Sequence, residues 1–256
     1  MGAKEELRRN TAPELEELEL ELLLEALVRR FGFDFRLHER VALKRKLFGF
    51  MQQHGLATLS QLQDGALHDA ATASQLFRTL HVPPAGLFDD PAEALMLREA
   101  AQHTLRGAAL PRIWLADCAG AGQAWSFAIL LADMGLLEQA EIHATVASDD
   151  LLDEALSAWF PVAELEQSQS AYRQAGGQGQ LSDHFQVQAE RAVLATALRK
   201  HITWSQYNLV TDASFNEFNL IIAPRTQADF GPLLRQRLQH LFQASLAPLG
   251  QIRGQV

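Results

Sequence analysis

The segment Pro111–Ala132 constrains the fold of this chain most, because it predicts a buried strand, a glycine turn and an apolar helix in succession. Arg112–Ala116 is short and apolar, which is typical of a strand covered on both faces. Gly120 and Gly122 let the backbone turn sharply and approach a ligand closely, and Trp125–Met134 has the composition of a helix. α/β folds build ligand pockets with this order of elements, at the carboxyl ends of their strands.

The rest of the chain predicts alternating strands and helices after this segment and helices alone before it. Apolar runs predict strands at Ala140–Ala147, His201–Tyr207 and Glu217–Ala223, and helices at Asp149–Trp159 and Gly231–Ala247. Upstream, periodic leucines predict helices at Thr11–Phe31 and Leu37–His54, with shorter ones after them. We therefore expect an α/β fold with a doubly wound sheet, preceded by a small all-helical domain.

Three basic residues lie at regular spacing at the start of the second predicted helix. Arg36, Arg40 and Lys44 follow one another at four-residue intervals, so they are expected to share one helix face. That face is either simply solvated or a docking strip for an acidic helix of a protein partner. The sequence leaves both interpretations open.

Segments poor in periodic apolar residues predict irregular backbone. Residues 1–10 are expected to form a frayed tail, and Thr11 is expected to cap the first helix. His81–Pro91 contains three prolines and a glycine, which predicts a linker or the wall of a pocket. Ser168–Asp183 is polar and rich in glycine, which predicts a mobile loop.

Composition excludes several functional classes. The net charge of −9 argues against nucleic-acid binding. The absence of an apolar run long enough to cross a bilayer argues against membrane insertion, and the charged start of the chain indicates no secretory signal. Cys118 is the single cysteine, which together with the other features predicts a cytoplasmic protein. The histidines are scattered, so no metal site is expected.

The chain resembles the CheR-type chemotaxis receptor glutamate methyltransferases over about residues 14–254. The resemblance rests on Arg112–Cys118, on Gly32–Phe35 with the basic helix after it, on Asn208–Leu209 and on Leu220–Ile222. It implies a class I S-adenosylmethionine (SAM) methyltransferase fold with a small antiparallel β subdomain inserted at about residues 160–200. It also implies a helical N-terminal domain with its linker over residues 11–90, a SAM domain over residues 91–256, and a hairpin after Gly250 for which little chain remains.

The positions that carry the chemistry of that family differ in this sequence. Asp89 stands where the family has an arginine, and Val146 where it has the aspartate that accepts the ribose hydroxyls. The turn Ala121–Ser126 lacks both of the family's carboxylates, and Ala223–Arg225 replaces a Cys-Arg-Asn loop that is followed later by a tyrosine, here Asp229. A hydrogen bond to a charged group contributes about 1.5–3 kcal/mol. Losing two of them would weaken SAM binding by about 10²- to 10⁴-fold.

A retained site for SAM or for S-adenosylhomocysteine (SAH) would use the residues that still match. These are Asp117, Gly120, Gly122, Asp149, Asn208 and Leu209. We expect weak or absent binding of either compound. Asp89 and Asp229 would also place negative charge near a site that must receive a substrate carboxylate.

Three functional hypotheses follow. The first is a degenerate CheR-like protein of a bacterial chemotaxis or signalling pathway that acts by binding. The second is an active SAM-dependent protein-glutamate methyltransferase with a diverged pocket. The third is a pocket recruited for another nucleotide-like ligand, with cationic contacts from Arg225, Arg235 and Arg237.

Overall fold

The computed structural model describes the backbone of residues 2–214 and 217–254, and side chains from residue 14 onward. The helices are α1 Gly2–Phe31, α2 Arg40–His54, α3 Leu59–His68, α4 Ala70–Leu80, α5 Pro91–Thr104, α6 Gly120–Asp133, α7 Asp149–Leu156, α8 Val162–Gln174, α9 Thr196–Arg199 and α10 Pro232–Ser245. The strands are β1 Arg112–Leu115, β2 Glu141–Val146, β3 Phe160–Pro161, β4 Phe185–Gln188, β5 Arg191–Leu194, β6 Ile202–Gln206, β7 Phe218–Ile222 and β8 Leu246–Arg253.

Backbone contacts divide the chain into two units. The first unit runs to His81 and also contains Ala228–Arg235. The second unit contains Val82–Gln227 and the residues from Gln236 onward. The division between the two units falls after His81, and the segment that follows packs against the glycine turn.

The first unit is helical and has its own apolar core. Leucines of α1, among them Leu20, Leu23 and Leu27, pack against apolar side chains of α2, α3 and α4. The helix α1 starts at Gly2, so the start predicted at Thr11 is wrong for the backbone. The residues before Thr11 are mostly good helix formers, which favours continuation of the helix. The predicted Thr11 cap lies among the residues whose side chains are outside the described part.

The second unit is built on a five-stranded parallel sheet of order β6-β2-β1-β7-β8. The strand β1 lies at the centre, where Ile113 pairs with Ile142 on one side and with Leu220 on the other. The helix α6 is buried on every face from Ala121 to Leu131, so the sheet is well covered. A second, antiparallel sheet of order β3-β5-β4 lies between Phe160 and Leu194. The predicted fold class is confirmed.

Two further elements differ from the sequence predictions. The strand β8 extends the sheet beyond β7, where the sequence predicts only the end of a helix. The mobile loop predicted at Ser168–Asp183 is wrong in its first half, which continues the helix α8. Tyr172 on that helix is fully buried. Gly177 packs so closely against the Tyr172 ring that a Cβ at this position would overlap it.

No helix in the described part of the chain is both long enough and apolar enough to cross a membrane.

Candidate functional site

A cavity of about 300 Å³ lies at the carboxyl ends of β1 and β2. The turn after β1 contributes Cys118, Gly120 and Gly122, and the end of β2 contributes Val146. Its remaining walls are Val82, Pro84, Ala85, Ala121, Leu151, Glu154, Ala155, Ser157, Ala158, Trp159 and Phe160. The cavity therefore occupies the place where the sequence predicts a ligand pocket.

Backbone and side-chain hydrogen bonds fix the turn after β1. Asp117 has a φ of 47°, in the left-handed region that a non-glycine residue adopts at a cost. The Cys118 amide donates to the Thr145 carbonyl (2.7 Å), and the Ala119 amide donates to Gln123 Oε1 (2.8 Å). Burial raises the pKa of the Cys118 thiol far above its usual range, so this residue is not a thiolate nucleophile.

The segment after His81 packs directly against Gly122, where the sequence predicts close approach of a ligand. The Ala85 amide donates to the Ala119 carbonyl (2.7 Å), which holds the segment after His81 against the turn. A Cβ on Gly122 would overlap the Ala85 carbonyl oxygen and the backbone of Gly86. Gly122 therefore faces the segment after His81 as well as the cavity. Of the two interpretations of His81–Pro91, the structure favours the pocket wall.

Asp117 and Asp149, the two carboxylates among the candidate SAM-site residues, lie outside the cavity lining, and so does the neighbouring Asp150. Asp149 and Asp150 are exposed in the first turn of α7, where the helix dipole favours negative charge. Val146 is 1% exposed at the end of β2. Asp117 is only partly buried and is not one of the lining residues. Among the described residues that line the cavity, Glu154 alone carries a charge.

Asn208 and Leu209 form a turn directly after β6. Asn208 Oδ1 accepts a hydrogen bond from the Val210 amide (2.9 Å), and the Asn208 amide donates to Asp212 Oδ2 (2.9 Å). Leu209 is buried. Both residues have local structural roles, and neither lines the cavity.

A three-residue ion cluster lies beyond the end of β7. Arg225 donates from Nη1 and Nη2 to the two oxygens of Asp89 (2.9 and 3.1 Å) and from Nε to Glu93 (2.8 Å). Burial opposes the charge on Arg225, but the hydrogen bonds with Asp89 and Glu93 outweigh it and hold the arginine pKa above its usual range. The negative charge of Asp89 is therefore paired with Arg225, and Arg225 already binds two carboxylates of its own chain.

The other charged candidates have partners or are exposed. Asp229 belongs to the first unit, where Lys46 (2.9 Å) and Arg45 (3.8 Å) pair with it. Arg235 and Arg237 are exposed on α10. No described feature brings either of them together with Arg225 around a ligand.

The basic strip of Arg36, Arg40 and Lys44 is arranged differently in the structure from the single helix face that the sequence predicts. Arg36 precedes α2, which begins at Arg40, and it binds Asp34 and Glu25 instead. Arg40 lies 3.6 Å from Glu17, and Lys44 lies 2.9 Å from both Glu16 and Glu17. Carboxylates of α1 and of the turn after it thus already neutralise these three cations.

Sequence reasoning missed Glu154, Trp159 and Phe160 as walls of the cavity. Glu154 lies in the second turn of an ordinary acidic helix, and nothing in its spacing distinguishes it from a solvated residue. Within the described residues, no three His, Cys, Asp or Glu side chains are grouped so that they could hold a metal ion.

Comparisons with known proteins agree with the resemblance in the sequence. Residues 88–252 match the family model of the CheR methyltransferase SAM-binding domain. The chain is 30% identical, over 91% of its length and 86% of the relative, to the putative methyltransferase Cher3 of Pseudomonas putida.

Solved structures that the chain matches include the glycopeptide N-methyltransferase MtfA. The complex with SAM is 16% identical, with a TM-score of 0.36, over 67% of this chain and 55% of that one. The complex with SAH is 17% identical, with a TM-score of 0.35, over 70% and 58%. This chain spans about half the length of the MtfA chains that it matches.

Proposed function

Because the chain belongs to the CheR methyltransferase family, we propose that it keeps the SAM-binding fold and acts by binding rather than by methyl transfer. The observation that carries this proposal is the lining of the cavity, in which Glu154 is the one charged side chain among the described residues. The proposed role is that of a docking or regulatory module in a bacterial chemotaxis-like signalling pathway.

The cavity fits SAM poorly. SAM has a sulfonium, an ammonium, a carboxylate and a ribose diol, and each of these groups needs a polar partner when it leaves water. The apolar Val146 stands at the end of β2, and no cation lines the described walls to meet the carboxylate. The glycine turn after β1 is also covered on the side of the segment after His81, because Ala85 and Gly86 pack onto Gly122.

The proposed partner is a protein with an acidic helix, bound along Arg36, Arg40 and Lys44. This remains a prediction. These cations lie within 3.6 Å of carboxylates in their own chain, so an incoming acidic helix would have to compete with Glu16, Glu17 and Glu25. Such competition weakens docking and makes it sensitive to salt.

Calorimetric titration of the full chain with SAM and with SAH tests the proposal. We expect no heat of binding up to millimolar ligand, and no transfer of label from radioactive SAM to protein carboxylates. Val146→Asp restores a carboxylate at the end of β2 and is expected to strengthen SAH binding by about 10- to 100-fold. Val146→Asn is the matched control of similar volume without the charge. Micromolar binding by the unchanged chain, together with methyl transfer, would overturn the proposal.

A second candidate is an active methyltransferase with a diverged pocket. The cavity of about 300 Å³ at the strand ends favours it, since the space for a ligand persists and contains Glu154. In that case Glu154→Gln should weaken SAM binding by about 10- to 100-fold, whereas Asp149→Asn, at an exposed position outside the lining, should leave it unchanged. If the unchanged chain does not bind SAM at all, this candidate is excluded.

A further inference from the structure

Three leucines of α1 face solvent on the side of the helix opposite its buried core. Leu15, Leu18 and Leu22 are 57%, 52% and 51% exposed. Their spacing of three and then four residues places them on one face. The core leucines of the same helix, such as Leu20 and Leu23, are fully buried on the other face. The helix therefore has a second apolar stripe, which its own unit does not use.

Acidic residues flank this leucine stripe. Six glutamates and no lysine or arginine occur between residues 14 and 28. Neighbouring helices use part of this charge, since Lys44 binds Glu16 and Glu17, and Ser60 donates to Glu19.

Glu14 and Glu21 remain on the exposed side of α1. Both are exposed, and neither has an ion pair with any side chain that the structure describes. At this helix spacing they lie along one edge of the leucine stripe. The stripe therefore combines an apolar centre with a negative margin.

We infer that the leucine stripe of α1 is a docking surface for an amphipathic helix of another protein that carries basic residues beside its apolar face. Leucines spaced three and four residues apart fit the apolar face of a partner helix. The glutamates at the margin select lysine or arginine in that helix. A second copy of this chain fits less well, because it would bring the same carboxylates against each other. The inference holds whether or not the cavity binds SAM, since the two features lie in different units.

Synthetic helical peptides of about three heptads test this surface on the full chain. One peptide has leucine at positions a and d with lysine at e and g, and its counterpart has glutamate at e and g. A third peptide has the composition of the first in scrambled order. Fluorescence anisotropy should show the lysine peptide binding on the order of micromolar, with little binding of the other two.

Variants of the stripe give the decisive comparison. Leu18→Gln should weaken binding of the lysine peptide about tenfold. Leu110→Gln, at an exposed leucine of the second unit, is the matched control and should change nothing. Glu14→Lys combined with Glu21→Lys should weaken the lysine peptide and allow the glutamate peptide to bind. Circular dichroism checks that each variant is folded.

Two results would overturn the inference. One is that Leu18→Gln leaves the affinity for the lysine peptide unchanged, or that the scrambled peptide binds with the same affinity. Either outcome would mean that the contact depends on charge alone. The other is a dimer in light scattering that Leu18→Gln converts to a monomer, because the stripe would then be an interface between copies of this chain.

Discussion

At the residue scale, Gly122→Ala is expected to destabilise the second unit by about 3 kcal/mol. The new methyl group would overlap the Ala85 carbonyl and the Gly86 backbone, and backbone atoms cannot move aside as a flexible side chain does. Urea denaturation followed by tryptophan fluorescence measures the change. All four tryptophans lie in the second unit, so this signal reports on it directly.

Gly107→Ala is the control for that substitution. Gly107 lies in the same unit, and a Cβ there meets no atom within 4 Å. Its free energy of unfolding should change by less than about 0.5 kcal/mol. Equal effects of the two substitutions would show that the packing of the loop onto Gly122 is not what limits that position.

A buried hydroxyl at Thr145 gives a second prediction. Thr145 is fully buried, accepts a hydrogen bond from Trp114 Nε1 (2.9 Å) and donates to the Leu115 carbonyl (3.3 Å). Thr145→Val keeps the shape but takes the acceptor from the indole N–H, at a cost of about 2 kcal/mol. Thr145→Ser keeps the hydroxyl and should cost less. If urea titration finds the valine variant as stable as the unchanged chain, the hydroxyl contributes nothing.

The sequence predicts the glycine turn more reliably than the side chains around it. Gly120 and Gly122 do line the cavity, because a tight turn after a parallel strand leaves few other positions for them. The carboxylates are different. Asp149 lies only three residues beyond Val146, yet it begins a helix and is exposed, and Glu154 reaches the cavity from the next turn. Which acidic side chain faces a pocket depends on where the helix starts and how it is rotated, and composition does not encode that.

At the scale of elements, the Arg225 ion cluster links the end of β7 to the start of α5. We expect Arg225→Gln to destabilise the second unit by about 1–2 kcal/mol, because Asp89 and Glu93 then face each other without a cation. Hydrogen exchange should also become faster in the segment from Val82 to Asp90. Arg225 is about one quarter exposed, so solvent screening keeps the effect below that of a fully buried pair.

Arg225→Lys is the matched variant for this cluster. Lysine keeps the charge but cannot donate in the forked geometry that reaches both carboxylates, so it should restore only part of the lost stability. Full restoration would mean that the charge alone matters. No change of exchange rate in either variant would contradict a role of Arg225 in holding the segment.

The elements that sequence patterns missed are those whose burial comes from distant parts of the chain. The strand β8 contains Pro248 and Gly250, which predict a turn, yet it pairs with β7 through a register shift between Phe218 and Leu220. The helix α8 has few apolar residues, but Tyr172 is buried and its hydroxyl donates to Asp133 (2.7 Å). In both cases tertiary contacts override weak local preference.

At the scale of the whole molecule, the two units have separate cores and different spectroscopic probes. The apolar core of the first unit lies among α1 to α4, and that of the second surrounds the sheet and α6. Tryptophan fluorescence reports on the second unit, whereas far-ultraviolet circular dichroism reports on helices in both. A difference between the two signals therefore reveals unfolding of the first unit.

Acid is expected to destabilise the first unit more than the second. Burial, with a contribution from Lys46, lowers the pKa of His38 to about 4, and burial also lowers the pKa of His81 to about 4. In the unfolded chain both residues titrate near pH 6.5. The unfolded state therefore binds more protons between pH 6.5 and 4, and stability present at neutral pH is lost as the pH falls through that window.

The measurement is urea denaturation at pH 7 and pH 5, followed by both signals. From pH 7 to pH 5 the first unit should lose about 3–4 kcal/mol, so the dichroism midpoint should fall more than the fluorescence midpoint. Arg36 holds the pKa of Asp34 below its usual range, so that carboxylate does not titrate in this interval. Burial also lowers the pKa of His143, so the second unit should respond in the same direction.

His81→Gln separates the histidine effect from general acid sensitivity. Glutamine stays uncharged at every pH and can still donate to the Phe77 carbonyl, as the His81 ring does at 2.8 Å. The variant loses ring contacts with Phe33 and Phe35, so its stability at pH 7 should be lower. Its loss between pH 7 and pH 5 should nevertheless be about half that of the unchanged chain, because one of the two low-pKa histidines is gone. If the variant loses as much stability between pH 7 and pH 5 as the unchanged chain, the acid sensitivity comes from other residues. The comparison uses the change of stability with pH, and not the stability at neutral pH, because only that change reports on the proton that His81 gains when the unit unfolds.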